Sequence, residues 1–388
     1  MMRRSAMLTA LLAVFVTTAG LNVPAVAAAE RSAQTLGPNR TLLKKMRQRA
    51  INYLRNSQAD DGGWTSPQAT GITALVVTAV LRSGVSADDP MAAKGLKNLE
   101  SFIQKDGGIY FSKSNHRNYE TSVALLAFHA ANKNGRYNKT IARAETFLRK
   151  LQWDEDEGLN RSDTGYGGAG YGSHQRPDLS NTQFLIEALK TAGVKADDPA
   201  MKKALYFVSR AQNLETEHNT TKFAAKINDG GFYYTPAAGG RSQAGLTPNG
   251  GLRSYGSMTY AGLKSMIYAG LTEKDPRVKA AFTWIRRFYT VSENPGLGQQ
   301  GLYYYYHTFA KALTALKVDK LVDAQGKPHD WRKELAEKLA ALQTASGAWV
   351  NKAPRWYEGD PNLATAYALM ALSYCEPKPA ARKTSSTK

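Results

Sequence analysis

Six threonines recur along the chain, at Thr70, Thr121, Thr182, Thr259, Thr308 and Thr365, and groups able to move a proton stand just before three of them. Glu120 precedes Thr121, Asp178 lies four positions before Thr182, and His307 precedes Thr308. A carboxyl or imidazole held in a water-poor site can serve as a general acid or base, so Glu120, Asp178 and His307 are the candidate catalytic groups. Cations and rings cluster at the same places. Arg117, Arg176, Arg253 and Arg355 suit an anion, while Tyr119, Tyr255, Tyr303 to Tyr306 and Tyr367 suit an apolar chain, a sugar ring or a cation over a ring face. The expected ligand-binding set is Tyr119, Arg117, Arg176, Asn181, Arg253, Tyr255 and Tyr306.

Other chemistries are excluded by composition. Cys375 is the only cysteine, so there is no internal disulfide and no metal site built on several thiolates. His307 alone does not make a metal site, and neither metal nor cofactor is expected. The acidic run Asp154-Glu155-Asp156-Glu157 follows a mixed-charge helix rather than leading an apolar one, and reads as a solvated turn.

The elements that must position these groups come from a repeat. Gln58-Ala59-Asp60-Asp61-Gly62-Gly63-Trp64 has close copies in Gln104 to Tyr110 and Gln343 to Trp349. Looser copies begin at Gln152, Gln212 and Gly296. Repetition on this scale means stacked supersecondary units. Each unit reads as a mixed-charge helix ending near the glutamine, a Gly-aromatic turn, a loop of variable length, and a second helix apolar on nearly every face. An all-round apolar helix is buried and an amphipathic one lies outside. Asp89-Pro90, Asp198-Pro199 and Asp275-Pro276 are start signals for outer helices. Six inner and six outer helices predict an all-α fold, an α/α toroid. The inner helices would then converge their N-termini, with their partial positive charge, on one mouth, where the long loops 153–180 and 213–257 also gather.

Residues 1–29 read as a signal peptide, with basic Arg3 and Arg4, an apolar Ala6 to Ala19 and a small-residue Ala27-Ala28-Ala29 site. The expectation is export to the periplasm or beyond, a toroid over 30–376, and a basic disordered tail over 377–388. The net charge of +19 favours an anionic membrane surface or an acidic glycan as partner. Nucleic acid is not expected, since no binding motif is present, and a monomer is.

The Gln-x-x-Asp-Gly-Gly-Trp repeat with its Thr-led helices resembles the terpenoid-cyclase and protein-prenyltransferase superfamily, which includes squalene–hopene cyclases and prenyltransferase β-subunits. The resemblance covers roughly residues 40–376. It implies that Gln58/Trp64, Gln104/Tyr110 and Gln343/Trp349 stack between neighbouring helices and stiffen the barrel. Class II cyclases of this superfamily protonate an alkene with the central acid of Asp-x-Asp-Asp-Thr. Here Asp178-Leu179-Ser180-Asn181-Thr182 keeps the first Asp and the Thr, but Ser180 holds the donor's place. Zinc prenyltransferases pair Asp-x-Cys with a Tyr-His-Thr histidine. Tyr306-His307-Thr308 matches the latter, whereas Tyr255-Gly256-Ser257 stands where Asp-x-Cys belongs. The Cys-Gly-Glu-Gln motif of thioester toroids is absent.

Three functions follow from these residues. The first is a toroid binding a small apolar or anionic, isoprenoid-like ligand in a tyrosine-lined cavity, with both superfamily catalytic motifs degenerate. The second is an exported enzyme acting on an acidic polysaccharide. A lyase would draw on His174, Arg176, His307, Arg253 and Tyr255, and a hydrolase on Glu120, Asp178 and Asp229. The third is a non-catalytic interaction scaffold.

Overall fold

Amphipathic and all-apolar helices alternate along the chain, and the difference sorts them into two layers. The computed structural model describes residues 35–172 and 176–379. The signal-peptide segment, His174 and tail positions 380–388 lie outside the described residues. In chain order the helices are α1 (Arg40–Asn56), α2 (Thr70–Arg82), α3 (Pro90–Glu100), α4 (Arg117–Ala130), α5 (Asn138–Arg149), α6 (Leu179–Thr191), α7 (Pro199–Arg210), the single-turn α8 (Ala224–Ile227), α9 (Gly256–Tyr268), α10 (Pro276–Arg287), α11 (Leu302–Ala315), α12 (Trp331–Leu342) and α13 (Pro361–Leu372). Setting α8 aside, they form six outer–inner pairs. In α13 every residue from Asn362 to Leu372 is buried, whereas α1 buries only the stripe Leu43, Met46, Ala50, Ile51 and Leu54.

The inner helices form a closed ring. Each packs on the next, in the order α2, α4, α6, α9, α11 and α13, and α13 returns to α2. This is the α/α toroid that the helix pattern predicts. Asp89, Asp198 and Asp275 cap α3, α7 and α10 through the N–H groups of Met91, Ala200 and Arg277, each with proline at the first helical position.

The repeat glutamines work by hydrogen bonding rather than by stacking alone. The amide of Gln58 donates to the carbonyls of Gly62 and Met91, thereby clasping its own turn to the start of the next outer helix. Gln152 does the same with Gly167 and Ala200, and Gln212 with Gly230 and Arg277. Gln343 bonds Gly347 and, across the seam of the ring, Met46 of α1. Gln104 departs from the pattern and bonds Phe102 and Tyr110. The first repeat glycine is required twice over. Gly62 has φ +89°, and a Cβ there would come within 2.4 Å of the Lys94 carbonyl oxygen.

The recurring threonine also acquires a job. Its hydroxyl accepts the N–H at the end of the Gly-aromatic turn: Ile109 to Thr121, Ala169 to Thr182, Phe232 to Thr259 and Trp349 to Thr365. In the first unit this residue is Thr73, at 3.2 Å from Trp64 N, not Thr70, which is the helix's first residue and one turn too early. Thr308 does not join the set, because its hydroxyl turns back to the carbonyls of Tyr304 and Tyr305.

Two short sheets finish the unit. Leu321–Val322 pairs with Pro328–His329 between α11 and α12. Thr35–Leu36 pairs antiparallel with Lys378–Pro379, so the first two residues of the basic C-terminal stretch after Pro377 are an edge of structure, held by backbone bonds to the other end of the chain.

Candidate functional site

Because all six inner helices run the same way, their first turns surround one space. A cavity of about 650 Å³ lies there, and every inner helix contributes to its wall: Thr70, Glu120, Asn181, Ser257, Tyr304 and Leu363. The long connections add Tyr171, Tyr234 and Gln243, and the α12–α13 connection adds Trp356. The 153–180 and 213–257 loops therefore build the wall with aromatic side chains.

The rings form a connected surface. Tyr119 meets Phe184 edge-on with centroids 5.1 Å apart, and Tyr304 meets Tyr367 at 5.8 Å. The hydroxyls of Tyr119 and Tyr367 are 3.3 Å apart. Tyr255 is buried on the same wall, and burial raises its hydroxyl's pKa well above the usual tyrosine range. Such a lining presents ring faces and neutral hydroxyls to whatever enters.

The acids are held differently from one another. Glu120 lines the cavity, accepting the N–H of Phe111 at 2.9 Å and the Ser114 hydroxyl. Burial raises its pKa against those two bonds. Asp178 sits behind the wall as the N-cap of α6, with Asn181 N and Asn181 Nδ2 donating to it at 2.9 and 2.8 Å. Burial pushes Asp178 up to about 6, while the Asn181 bonds, Tyr234 and Arg176 oppose the rise. Glu358, which the sequence reading passed over, also faces the cavity. Its carboxylate accepts from Tyr303 N, Tyr304 N and Asn351 Nδ2, and so caps α11, whose own N-cap is the glycine Gly301. Asp229 is a turn-holding group away from the wall, bonded to Gly231 N, the Ser254 hydroxyl and Trp284 Nε1.

Tyr119, Asn181 and Tyr255 from the expected ligand-binding set line the cavity, as does Glu120 from the expected catalytic set. The other six expected residues need correction: Asp178 stands behind the wall as described, and Tyr306, His307, Arg117, Arg176 and Arg253 do not line it either. Tyr306 points away, its hydroxyl donating to Val291 O at 2.8 Å. At 100° per residue, Tyr304 and Tyr306 stand on opposite faces of α11, and only Tyr304 faces inward. His307 lies beyond the cavity floor, buried between the rings of Tyr367 at 5.8 Å and Tyr374 at 6.4 Å. Its Nδ1 has no partner among the described residues. Burial and the nearby charges of Lys264 and Arg82 drive its pKa well down, so it is a neutral imidazole that does not reach the cavity as the expected catalytic group would.

The arginines do not converge either. Arg117 is exposed over the Tyr110 ring, and Arg253 is exposed and bonded to Leu246 O. Arg176 is not on the wall and lies 5.5 Å from the Tyr234 ring. Arg355 is spent on the side chains of Gln300 and Gln243. Long cationic side chains keep their heads in water while their stems cover apolar surface, which is why loop arginines so placed stay outside.

Both degenerate motifs keep their places in the fold. Ser180 lines the cavity at the class II acid position, its hydroxyl 3.2 Å from that of Tyr304. Tyr255 and Ser257 line it where a zinc site's Asp and Cys would be, and among the described residues no group of three His, Cys, Asp or Glu is placed to hold a metal.

The fold is an α/α toroid similar to that of terpenoid cyclases. Residues 65–235 match the squalene-hopene cyclase C-terminal domain family. Squalene–hopene cyclase of Alicyclobacillus acidocaldarius is 28% identical over 148 residues, a match spanning 37% of this chain and 23% of that enzyme's length. The type II terpene cyclase MstE from Scytonema superposes with TM-score 0.53 at 13% identity, over 87% of this chain and 98% of that one. An unsaturated glucuronyl hydrolase specific for heparin superposes as well, with TM-score 0.54 at 14% identity over 87% and 97%. At these identities the superpositions speak for the fold.

Proposed function

We propose that this protein is exported and binds a small apolar, isoprenoid-like ligand in the aromatic cavity without class II cyclase or zinc prenyltransferase chemistry. The observation that carries this reading is the wall itself: Tyr119, Tyr171, Tyr255, Tyr304, Tyr367 and Phe184 around about 650 Å³. Cavities of this size and lining hold drug-sized apolar ligands with a few polar groups fixing orientation. Alkene protonation by the class II route requires a strong acid at the Ser180 position, and a serine hydroxyl is far too weak for it. The glycan-hydrolase alternative requires two facing carboxylates. Glu120 is one, but Glu358, the other carboxylate on the described wall, is consumed in capping α11. The basic exterior then serves to hold the protein near anionic membrane surfaces or glycans.

Native mass spectrometry of the mature protein purified from its own host tests this directly. A co-purifying polyprenyl lipid is the expected result, and Phe184→Asn should weaken its retention by about tenfold through lost apolar contact and a buried unpaired amide. An empty protein that also fails to bind any added polyprenyl lipid rejects the reading.

A further inference from the structure

A chain of polar groups runs from the interior of the ring to the cavity floor, and the direction of its hydrogen bonds can be worked out. It begins two turns below the wall, where Lys264 of α9 and Lys311 of α11 share the single carboxylate of Glu187 on α6. All three are buried. Lys264 Nζ lies 2.6 Å from Glu187 Oε2 and also contacts Gln183 Oε1. A lysine amine, charged or neutral, has an N–H for each of these acceptors. With Lys264 donating to both, the Gln183 oxygen faces it, and the amide nitrogen is turned towards the cavity. Gln183 Nε2 then donates to the Tyr304 hydroxyl at 3.3 Å.

Tyr304 in turn is 3.2 Å from the Ser180 hydroxyl, and both line the cavity. The two hydroxyls own two protons. Gln183 brings a third proton to the pair and accepts none. One hydroxyl proton makes the bond between them, whichever of the two donates it. The other has no acceptor among the described residues. It faces the ligand space, since Gln183 closes the opposite side.

We propose that the Ser180–Tyr304 hydroxyl pair is a hydrogen-bond donor site that reads an oxygen acceptor on an otherwise apolar ligand. The inference rests on the isoprenoid-like reading above and narrows it to a class: an alcohol, ether or ketone on an apolar skeleton rather than a pure hydrocarbon. The Lys264 N–H donor at the far end polarises the chain in the same sense, because donors in series strengthen one another at low dielectric. At the position where a class II acid would transfer a proton, this chain offers a hydroxyl that holds an oxygen in place.

Three probes on one C15 skeleton separate the outcomes: farnesene, farnesol and farnesyl methyl ether. Fluorescence titration of the full mature protein should show the alcohol and the ether binding about three- to tenfold tighter than the hydrocarbon, the size of one net hydrogen bond. The ether only accepts, so its preference marks a protein donor. The double variant Ser180→Ala/Tyr304→Phe should erase the preference. Ser180→Ala alone should keep it, because the Tyr304 proton then has no protein acceptor. Far-ultraviolet circular dichroism and the melting temperature check that both variants fold. Equal binding of all three probes overturns this inference and leaves the isoprenoid reading standing. So does a preference for the alcohol that the ether does not share, which would assign the contact to an acceptor such as Glu120. Binding of none overturns both.

Discussion

The same six inner helices make two different interiors. Around their first turns they leave about 650 Å³ empty and wall it with tyrosine rings, hydroxyls and Glu120. Two turns further along they close on Lys264, Lys311, Glu187 and the neutral His307, packed without exposure to water. The first region is mostly aromatic and open, with the carboxylates of Glu120 and Glu358 on its wall. The second is charged and shut, with two amines on one carboxylate and Arg82 adding positive charge nearby. A buried ion pair rarely stabilises a fold more than apolar packing of equal volume, yet removing one partner is costly. The difference teaches that the wall's carboxylates are each held by neighbouring N–H and O–H groups, whereas the amines are gathered on one carboxylate behind it.

The largest expected effect breaks the shut region. Glu187→Ala leaves two amines buried without a counter-charge and should lower unfolding free energy by about 3–5 kcal/mol in urea denaturation. Lys311→Met removes the second amine from the shared carboxylate and should be neutral or stabilising. A Glu187→Ala loss below about 1 kcal/mol would mean that water reaches the cluster and that the contrast between the regions is false.

The next effect is in pH, where the two regions should respond with opposite sign. Burial, helped by Arg82, lowers the Lys264 pKa to about 7. The unfolded chain then binds more protons than the folded one between about pH 7 and the ordinary lysine range, so stability rises with pH there, by at most about 1.4 kcal/mol per unit. Asp178 is raised to about 6 by burial. Between its ordinary value near 4 and that point the folded chain holds the extra proton, so stability falls as pH rises. Chemical denaturation at stepped pH, repeated in Lys264→Met and Asp178→Asn, assigns each slope. Burial lowers Lys311 as well, which adds a slope of the same sign, so Lys264→Met should reduce the alkaline slope, and an undiminished slope would remove Lys264 from the account.

The smallest effect lies on the cavity wall. Tyr119→Phe removes a single hydroxyl contact to Tyr367 and should change stability by less than about 1 kcal/mol while leaving the cavity intact. A larger loss in thermal unfolding would show that the wall is structural framework and not a surface kept for a ligand.

Much of this was legible in the residues. The Asp-Pro starts, the repeat glutamines and the all-apolar inner helices act locally, through capping, backbone geometry and hydrophobic period, so the toroid could be read without contacts. The class II and zinc positions could be placed because they sit at fixed offsets from the Thr-led helix starts. The cavity wall was legible only in part. Tyr119, Asn181 and Tyr255 stand at helix starts, where the mouth must be. Tyr304 and Tyr306 are indistinguishable in a run of four tyrosines until the rotation of α11 about its axis is known. Tyr171 and Tyr234 come from loops whose paths carry no period. Glu187, Lys264 and Lys311 lie within helices that read simply as inner ones.

By itself, then, the sequence determined the six outer–inner helix pairs, their sorting into two layers and the end of the ring where a site would form, because each rests on interactions within a few residues of the chain. The tertiary structure alone decided which faces of α6, α9 and α11 look at one another. Side chains 77 and 81 residues apart, as Glu187 and Gln183 are from Lys264, acquire a common environment only when the ring closes. The orientation of the Gln183 amide, and with it the proton that the cavity presents, is a property of that closure.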